Sequence, residues 1–447
     1  MEATLDTNEI REWKRYEQMR PFEVDFLGLV PEHWLTKRLA TVCDFQSGKA
    51  HEPFIHEAGE FVCVNSRFVS TGGTTRKNCT ENLSPAKIGD VLMVMSDLPS
   101  GRALGKAFYV EQNNEYAVNQ RVCIIRAGKL HHAKFLYYLL DRHHIFLSYD
   151  DGCNQTHLSN AVFTKFPALV PPLPEQRAIA AFLDRETARI DALIGHKQRL
   201  IALLEEKRQA VISHAVTKGL DPDVELKDSG KPWLGSVPAK WTLKPLKHCV
   251  SVFGGMTPSK ENSDFWNGNI PWVSPKDMKR FEIDDSEDHI TEAALEQTTI
   301  AFLPINTVMI VIRGMILARY VPVAINTVRV TINQDMKALR CKSGLQTRYL
   351  AYQLRAIQDA FFSVMEEAGH GTLCLRTELW NSITIAVPPI DEQQAICNAI
   401  DKSTAAILRC ISQIQDSISQ LLEYRTALIS AAVTGQIDVR DEVQLDG

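Results

Sequence analysis

Few residue clusters in this chain could carry out catalysis, and each departs from the pattern that its chemistry requires. Gly101 to Ala107 (GRALGKA) has the outline of a phosphate-binding loop, but three residues separate its glycines where four are needed. Ala107 also stands where Ser or Thr would hold magnesium. The sequence contains no Asp/Asn-Pro-Pro-Tyr/Phe tetrapeptide of the kind found in amino-methyltransferases. We therefore expect that the chemistry is performed elsewhere.

Histidine pairs and scattered cysteines supply the side chains that could bind a metal. His131-His132 and His143-His144 lie in or near a predicted helix, where adjacent side chains point in different directions. A shared metal is therefore not expected, and surface or half-buried histidines are the better interpretation. The chain has 10 cysteines without a Cys-x-x-Cys pair. We expect reduced thiols that pack as small hydrophobic residues, and no metal site.

The elements that would position any site occur twice. PPLPEQRAIAAFLD at Pro171 to Asp184 returns as PPIDEQQAICNAID at Pro388 to Asp401, and the alignment extends to about 23 identities in about 51 positions. FLGLVPEHW at Phe26 to Trp34 corresponds to WLGSVPAKW at Trp233 to Trp241. The chain is therefore a tandem duplication, and each copy is long enough for a domain and a helix.

Length and composition are consistent with two soluble domains. The 447 residues exceed what one ordinary core holds, and hydrophobic residues make up 45% of the chain. No apolar run reaches the roughly 20 residues of a membrane span, and the N-terminus is charged. We therefore expect a cytoplasmic protein that does not contact a membrane. The net charge of -5 argues against indiscriminate coating of nucleic acid but permits a local basic face.

Each repeated segment is predicted to form a helix of about 40 residues, roughly 60 Å long. A Pro-Pro pair precedes acidic residues in the first turn, and in the first copy only Gly195 interrupts the segment. Apolar residues recur with a mean step of about 3.5 residues, which is the coiled-coil pattern. This apolar stripe comprises Ile179, Leu183, Ile190, Ile194, Ile201, Leu204 and Val211, and then Ile396, Ile400, Ile407, Ile411, Ile414, Ile418, Leu421 and Leu428.

Two stripes of equal length favour pairing of the helices with each other, although each helix could instead pack on its own domain. An antiparallel pair would send the domains to opposite ends, whereas a parallel pair would bring them to the same end. The predicted fold is thus mixed α/β (α+β), with two domains in tandem repeat separated by two long antiparallel coiled-coil helices in a pseudo-twofold arrangement. The predicted segments are an N-terminal extension at 1–25, a domain at 26–170, a central helix at 171–220, a linker and second domain at 221–387, and a distal helix with tail at 388–447.

The globular segments show short strand-like runs separated by Gly, Asn, Ser and Pro clusters. Both copies keep Asn-Gln at corresponding points, Asn119-Gln120 and Asn333-Gln334, and diverge between such points. One scaffold therefore carries two different sets of loops, and recognition usually lies in loops. The predicted elements are strands at Phe61 to Val64, Val91 to Met95, Arg121 to Ile125, Val308 to Ile312 and Ala324 to Ile332, and helices at Lys134 to Arg142 and Thr347 to Phe362.

Four motifs, two of them duplicated, resemble the specificity subunits of type I restriction-modification systems over essentially the whole chain. They are the paired PPLPEQRAI and PPIDEQQAI helix starts, the paired LGxVPxxW segments, LKDSGKPWLG before the second domain, and the terminal AAVTGQIDVR. The resemblance implies two target recognition domains, each recognising one half of a bipartite, asymmetric DNA sequence. One departure is the stretch Met1 to Glu23, in which LKDSGK has no clear counterpart.

The resemblance also implies partners and cofactors. The helices would dock two methyltransferase subunits, and restriction and translocase subunits would join that complex on double-stranded DNA. No cofactor would be bound by this chain, and S-adenosylmethionine, ATP and magnesium are expected in the partner subunits. The chain itself would be a non-catalytic recognition subunit.

DNA recognition requires side chains that pair with base edges and cations that contact phosphates. Polar and basic loop clusters in the divergent regions offer both. Each residue alone is better interpreted as part of a solvated loop, so the prediction concerns the clusters and not any single member. The candidates are Asn65, Ser66, Arg67, Thr75, Arg76 and Lys77 in the first domain, and Thr257, Ser259, Lys260, Lys276, Lys279 and Arg280 in the second. Two alternatives stay open: a coiled-coil adaptor that binds only protein, and a recognition subunit of another DNA-modification or defence system.

Overall fold

The computed structural model describes residues 13–22, 28–97, 103–113, 115–149, 156–368 and 372–442. The chain divides into two compact units: the first comprises residues 1–196 and 417–447, and the second comprises residues 197–416. The division falls inside the two long helices, so each unit contains one half of each helix. No helix in the described ranges is long and apolar enough to span a membrane.

The first unit is built on strands β1 to β13 and the helices that connect them. The strands are β1 Met19–Pro21, β2 Leu29–Pro31, β3 Leu35–Arg38, β4 Cys43–Ser47, β5 Phe61–Val64, β6 Asn78–Cys79, β7 Val91–Val94, β8 Ser96–Asp97, β9 Ala107–Tyr109, β10 Tyr116–Val118, β11 Val122–Ala127, β12 Thr156–His157 and β13 Pro167–Val170. The helices are α1 Leu39–Val42, α2 Ser66–Ser70, α3 Ala133–Leu140, α4 His144–Leu147, α5 Asn160–Lys165 and α6 Leu173–Lys218.

The second unit is built on strands β14 to β27 and a second set of helices. The strands are β14 Leu226–Asp228, β15 Ser236–Pro238, β16 Thr242–Pro245, β17 Val250–Gly254, β18 Trp266–Val273, β19 Glu282–Ile283, β20 His289–Ile290, β21 Val308–Val311, β22 Val323–Asn326, β23 Thr331–Ile332, β24 Met336–Cys341, β25 Met365–Ala368, β26 Thr372–Leu375 and β27 Thr384–Val387. The helices are α7 Leu246–Cys249, α8 Glu292–Gln297, α9 Thr347–Ala356, α10 Gln358–Phe362, α11 Thr377–Trp380 and α12 Ile390–Val433.

The two units share a sheet topology, to which the second adds β19, paired parallel with β22, at the edge of its large sheet. The first has an antiparallel sheet in the order β4-β11-β7-β9 and a three-stranded sheet β10-β5-β6. The second has β17-β24-β21-β22-β19 and β20-β18-β23. In each three-stranded sheet the central strand is parallel to one neighbour and antiparallel to the other. The predicted mixed α/β fold in tandem repeat is therefore confirmed.

Side chains alternate between the two faces of a strand, and the central strand β7 of the antiparallel sheet of the first unit is buried on both faces. Val91 and Met93 of β7 belong to the core cluster that includes Ile179 of α6 and Leu428 of α12. Leu92, between them, belongs to a second cluster with α2 and β10. One face of the sheet thus contacts the helix pair, and the other supports the three-stranded sheet.

The two long helices pack antiparallel within each unit. In the first unit Gly435, just past the end of α12, lies against Trp34, and the Trp34 indole nitrogen donates to Glu175 in the first turn of α6 at 3.0 Å. Further along α6, Asp191 pairs with Arg425 at 3.1 Å. Residue numbers therefore rise along α6 as they fall along α12, as the prediction of antiparallel helices required.

The second unit repeats this junction with its own residues. Gly219, just past the end of α6, has a positive φ of 78° that favours glycine. A Cβ there would meet the Glu392 carboxylate at 3.3 Å and Trp241 at 3.5 Å, and the Trp241 indole nitrogen donates to Glu392 at 3.0 Å. The repeated VPxxW, PPxxEQ and AVT motifs thus meet at one point in each unit.

Every residue of the predicted apolar stripe is at least half-buried. The buried members are Ile179, Leu183, Ile190, Ile396, Ile400, Ile407, Ile411 and Leu428. The half-buried members are Ile194, Ile201, Leu204, Val211, Ile414, Ile418 and Leu421.

The N-terminal stretch contains a counterpart of LKDSGK that sequence comparison did not reveal. Strand β1 pairs antiparallel with β2, as β14, which carries the start of that motif, pairs with β15. Arg20 on β1 donates to the carbonyl oxygen of Trp34 at 2.8 Å, and Lys227 on β14 donates to that of Trp241 at 2.6 Å. Strands β1 and β14 therefore make equivalent contacts, one through an arginine and the other through a lysine.

Candidate functional site

The predicted polar cluster at Asn65 to Arg67 lies at one edge of the three-stranded sheet of the first unit. Strands β5 and β10 are parallel, so their carboxyl ends meet at the same edge. Asn65 follows β5 and Asn119 follows β10. The Asn119 backbone N–H donates to the carbonyl of Val64 at 3.0 Å and joins the two strand ends.

A tight turn at this edge presents one exposed amide side chain. The turn spans Asn119 to Val122 and is closed by the Val122 N–H donating to the Asn119 carbonyl at 2.9 Å. Gly48 packs so closely that a Cβ there would collide with the same carbonyl, so this approach requires glycine. Gln120 occupies the second position of the turn and is exposed, whereas the Asn119 side chain is buried.

A carboxylate orients both amides of the turn. The Glu52 Oε1 atom accepts from Asn119 Nδ2 at 3.2 Å and from Gln120 Nε2 at 3.3 Å. Burial alone would raise the pKa of Glu52, but hydrogen bonds from its own backbone and from these amides lower the pKa below its ordinary value. His51 anchors the segment that carries Glu52, because its ring accepts from the Leu83 N–H at 3.0 Å and faces a backbone carbonyl on its other side.

The second unit has the same turn at the same edge. Strands β18 and β23 are parallel, and the Asn333 N–H donates to the carbonyl of Val273 at 3.0 Å. The turn is closed by the Met336 N–H donating to the Asn333 carbonyl at 3.3 Å, and a Cβ at Gly255 would collide with that carbonyl. Gln334 occupies the second position and is exposed.

A hydroxyl takes the orienting role in the second unit. The Thr257 hydroxyl donates to Gln334 Oε1. Thr257 is two residues beyond Gly255, and its segment is anchored by the Trp272 indole nitrogen, which donates to the carbonyl of Met256 at 2.9 Å. The two turns thus share a backbone and differ in the side chains around them.

Four of the predicted DNA-contacting residues lie at these edges. Asn65 is half-buried and caps α2, because its side chain accepts from the Phe68 N–H at 2.9 Å. Ser66 and Arg67 form the first turn of α2, and Arg67 is exposed. Thr257 is the residue that holds Gln334.

The remaining candidates of the first unit lie in the loop between α2 and β6. Thr75 is half-buried, and its backbone N–H donates to Thr71 Oγ1 at 3.1 Å. Arg76 donates to the carbonyl of Gly73 at 3.1 Å and pairs with Glu115 at 3.3 Å, so its charge is partly neutralised. Lys77 is exposed, and its backbone carbonyl accepts a hydrogen bond from the Cys63 N–H of β5 at 2.8 Å.

The basic candidates of the second unit divide into paired and unpaired side chains. Lys276 pairs with Asp288 at 2.9 Å, and Arg280 pairs with Asp284 at 2.8 Å. These acids reduce the attraction of both cations for phosphate. Three candidates are exposed and form no side-chain ion pair or hydrogen bond among the described residues: Ser259, Lys260 and Lys279.

The first unit also contains a cleft of about 1130 Å³ between the domain and the helix pair. Its charges are largely compensated, since Lys134 pairs with Asp184 at 3.4 Å and Arg425 with Asp191 at 3.1 Å. Lys134 also lies 4.9 Å from the centre of the Tyr109 ring. A wall of internally paired charges has little free capacity for an anionic ligand, so the exposed turns are the better candidate site.

One member of each histidine pair differs in burial from the sequence-based expectation, whereas His132 is half-buried and His144 is exposed, as expected. His131 and His143 are buried at 5% and 8% exposure, rather than surface or half-buried. Burial lowers the pKa of His143 to about 3. Among the described residues no three His, Cys, Asp or Glu side chains are grouped to hold a metal ion. Part of the loop from Gly101 to Ala107 lies outside the described residues.

Sequence reasoning did not select Gln120 or Gln334 as site residues. The signal was present, because Asn-Gln recurs in both copies, but it was interpreted as a structural match between scaffolds. Glu52 contacts Gln120, and Thr257 contacts Gln334, although each pair is far apart in the sequence. These contacts hold the two amides in fixed orientations, which the sequence alone does not show.

Comparisons with known proteins match both copies. The family model described as the type I restriction modification DNA specificity domain matches residues 31–203 and 238–420. The EcoR124I/EcoR124II type I restriction enzyme specificity subunit of Escherichia coli is 37% identical over 160 residues, which cover 36% of this chain and 40% of that protein. The MjaIX specificity subunit of Methanocaldococcus jannaschii is 29% identical over 170 residues, covering 37% of this chain and 38% of that protein.

One solved structure shares the fold over nearly the whole chain. It comes from a study of complex assembly and conformational transition of the type I R-M system. The TM-score is 0.69 at 15% identity, and the match covers 91% of this chain and 99% of that one. The curated alignments span only about two fifths of each relative, whereas this structural match spans both copies of the repeat.

Proposed function

The chain belongs to the type I restriction modification DNA specificity family, and we propose that it is the subunit that selects the DNA target of such a system. Each unit recognises one half of a bipartite, asymmetric sequence in double-stranded DNA. The paired halves of α6 and α12 hold the two recognition domains and dock two methyltransferase subunits. Restriction and translocase subunits join this complex.

One observation carries the proposal. The turns at Asn119 to Val122 and at Asn333 to Met336, called the clamped turns below, have the same backbone hydrogen bonds but different side chains around their exposed glutamine. Gln120 is held by Glu52, and Gln334 is held by Thr257. A duplicated protein adaptor has no need for two polar edges that differ in this way. Two domains that recognise two different short base sequences do need them.

We propose that this subunit is non-catalytic and binds no cofactor of its own. S-adenosylmethionine, ATP and magnesium belong to the partner subunits, which supply methyl transfer and translocation. The charged residues of the first-unit cleft support this assignment, because they pair with each other instead of leaving a convergent set free for a substrate.

Long-read methylome sequencing of a host with and without this gene tests the function. We expect a modified motif with two short specific blocks around unspecified bases, and loss of methylation on both strands when the gene is deleted. A continuous motif, or methylation that persists after deletion, contradicts the proposal. Binding of the chain to genomic DNA in the presence of its methyltransferase partner separates a DNA-recognition subunit from an adaptor that binds only protein.

A second candidate is a recognition subunit of another DNA-modification or defence system. The same two presented amides favour it over a protein adaptor, because they suit any duplex DNA target. The genes beside this one distinguish the two, since a type I system requires methyltransferase and translocase genes.

A further inference from the structure

We propose that Gln120 and Gln334 each recognise an adenine, one in each half of the bipartite target. The inference rests on the proposed function and assigns the contact that the function requires. A glutamine amide matches the major-groove edge of adenine, because its oxygen accepts from N6 and its nitrogen donates to N7.

The backbone presents both glutamines in the same rigid way. Each occupies the second position of a turn that is closed by a backbone hydrogen bond and joined to the end of a neighbouring strand. Gly48 and Gly255 make the close approaches that fix the turns against the large sheets. A contact group on a clamped turn loses little conformational entropy when it binds, and this favours specificity.

The orienting partners leave the recognition atoms of each amide available. Glu52 engages one N–H of Gln120, so the second N–H and the oxygen remain for a base. Thr257 engages one lone pair of Gln334 Oε1, so the other lone pair and the nitrogen remain. Neither glutamine makes another hydrogen bond among the described residues.

The local charge favours contact with a base over contact with a phosphate. Glu52 lies against Gln120, and its lowered pKa keeps it ionised near neutral pH. Asp335 follows Gln334 directly in its turn. The Glu52 carboxylate beside the Gln120 amide repels the phosphate backbone, and Asp335 adds a negative charge to the second turn. Exposed cations near the first turn, such as Lys49 and Arg121, suit the flanking phosphates.

The test uses the full chain assembled with its methyltransferase partner, and its readout is the methylated motif. In Gln120→Ala we expect one adenine position in one half-site to become degenerate while the other half-site is unchanged. In Gln334→Ala we expect the reverse. Gln297→Ala changes an exposed glutamine at the end of α8 and serves as the matched control, with the wild-type motif expected.

A second measurement uses the wild-type complex and does not depend on the folding of any variant. Each adenine of the motif is replaced in turn by 7-deazaadenine, which lacks the N7 acceptor, and binding to the duplex is measured. We expect one position in each half-site to weaken binding, by less than the about 5- to 150-fold range of a whole bidentate base contact, because the hydrogen bond to N6 remains. Gln120→Ala and Gln334→Ala should each abolish the effect at one of the two positions.

The outcomes separate this inference from the function on which it rests. If the wild-type chain specifies no bipartite motif, the proposed function fails. If the motif is bipartite but no adenine responds to 7-deaza substitution, the adenine assignment is overturned. It is also overturned if either alanine variant relaxes a position other than adenine, or if both variants keep the wild-type motif. Thr257→Val should reduce discrimination in the half-site of Gln334 alone, because it removes only the orienting hydroxyl.

Discussion

The buried carboxylate of Glu175 joins three segments of the first unit. It is 5% exposed and accepts from the Tyr16 hydroxyl at 2.6 Å, from the Trp34 indole at 3.0 Å and from His33 at 2.8 Å. Glu175→Ala leaves Tyr16 and Trp34 as buried donors without an acceptor, and each such loss costs about 1–3 kcal/mol. We expect the free energy of unfolding of the first unit to fall by about 3 kcal/mol, measured by urea unfolding followed through tryptophan fluorescence.

Glu392 in the second unit provides the matched control. Its side chain accepts from the Trp241 indole at 3.0 Å and has no tyrosine partner like Tyr16 among the described residues. We therefore expect Glu392→Ala to cost about 1–2 kcal/mol. Equal losses in the two variants would show that the hydroxyl of Tyr16 adds nothing to the first junction.

Buried histidines make the first unit sensitive to acid. Burial lowers the pKa of His131 to about 4, and burial with the nearby charge of His144 lowers the pKa of His143 to about 3. Both folded-state pKa values lie below the unfolded value of about 6.5, so only the unfolded chain gains protons as the pH first falls. Their contribution to stability is complete above about pH 6.5 and is lost as the pH falls from 6.5 to about 4 for His131 and to about 3 for His143. We expect the thermal midpoint to fall between pH 7.5 and 5.

A substitution that cannot titrate isolates this effect. His143 caps α4 by accepting from the Ile145 N–H at 3.3 Å, and Asn keeps a capping acceptor without a titrating ring. His143→Asn should flatten the pH dependence, by up to about 1.4 kcal/mol for each pH unit below 6.5. The exposed His196 is the control, and His196→Asn should leave the slope unchanged. A steep acid transition that persists in His143→Asn would assign the sensitivity to other groups.

At the scale of elements, local patterns predicted the helices well and the turns poorly. The apolar spacing of about 3.5 residues extends over whole segments, so it predicted two long helices that the structure has at Leu173–Lys218 and Ile390–Val433. The predicted helix from Thr347 to Phe362 is broken into α9 and α10 at Ile357. Strand β1 and the clamped turns depend on hydrogen bonds between distant segments. The spacing of apolar residues along the chain cannot predict such contacts.

The spacing of the half-sites should follow the length of these helices. A four-residue insertion between Arg199 and Glu205 in α6 adds about 6 Å of helix and keeps the apolar stripe nearly in phase. Because α12 is not lengthened, we expect the gap to grow by at most about two base pairs of about 3.4 Å each. The bases inside each half-site should stay the same, since no recognition loop is changed. The readout is the methylated motif of the insertion variant.

A same-size insertion outside the helices is the control for this change. Four residues placed in the loop at Asp221 to Val224 leave the helix pair intact, so the gap should keep its wild-type length. An unchanged gap in the helix variant, together with altered half-site bases, would show that the helices do not set the spacing.

At the scale of the whole molecule, each unit is completed by sequence from the other half of the chain. The core of the first unit includes Leu428 and Val433 of α12, and the Asp438 N–H in the tail donates to the carbonyl of Lys14 at 2.7 Å. The repeat aligns Leu428 with Val211 and Arg425 with Arg208. The α6 residues Val211 and Arg208 are therefore the equivalents, in the first half of the chain, of the α12 residues Leu428 and Arg425 that pack in the first unit.

A fragment from Met1 to Asp223 should accordingly form a symmetric dimer, in which α6 of one copy occupies the place of α12 on the other. With the methyltransferase partner it should recognise a palindrome built from the first half-site.

Arg208 of each copy would then face Asp191 of the other, as Arg425 faces Asp191 in the intact chain. Arg208→Glu should raise the dimer dissociation constant at least about 2- to 30-fold, because two ion pairs of about 0.2–1 kcal/mol each are lost and the reversed charges repel Asp191. Adding Asp191→Lys should restore the dimer, whereas in the intact chain Arg208 contacts Glu205 and its reversal should leave Asp191 paired. Sedimentation equilibrium measures the association, and a fragment that stays monomeric and binds no DNA would contradict the exchange of helices.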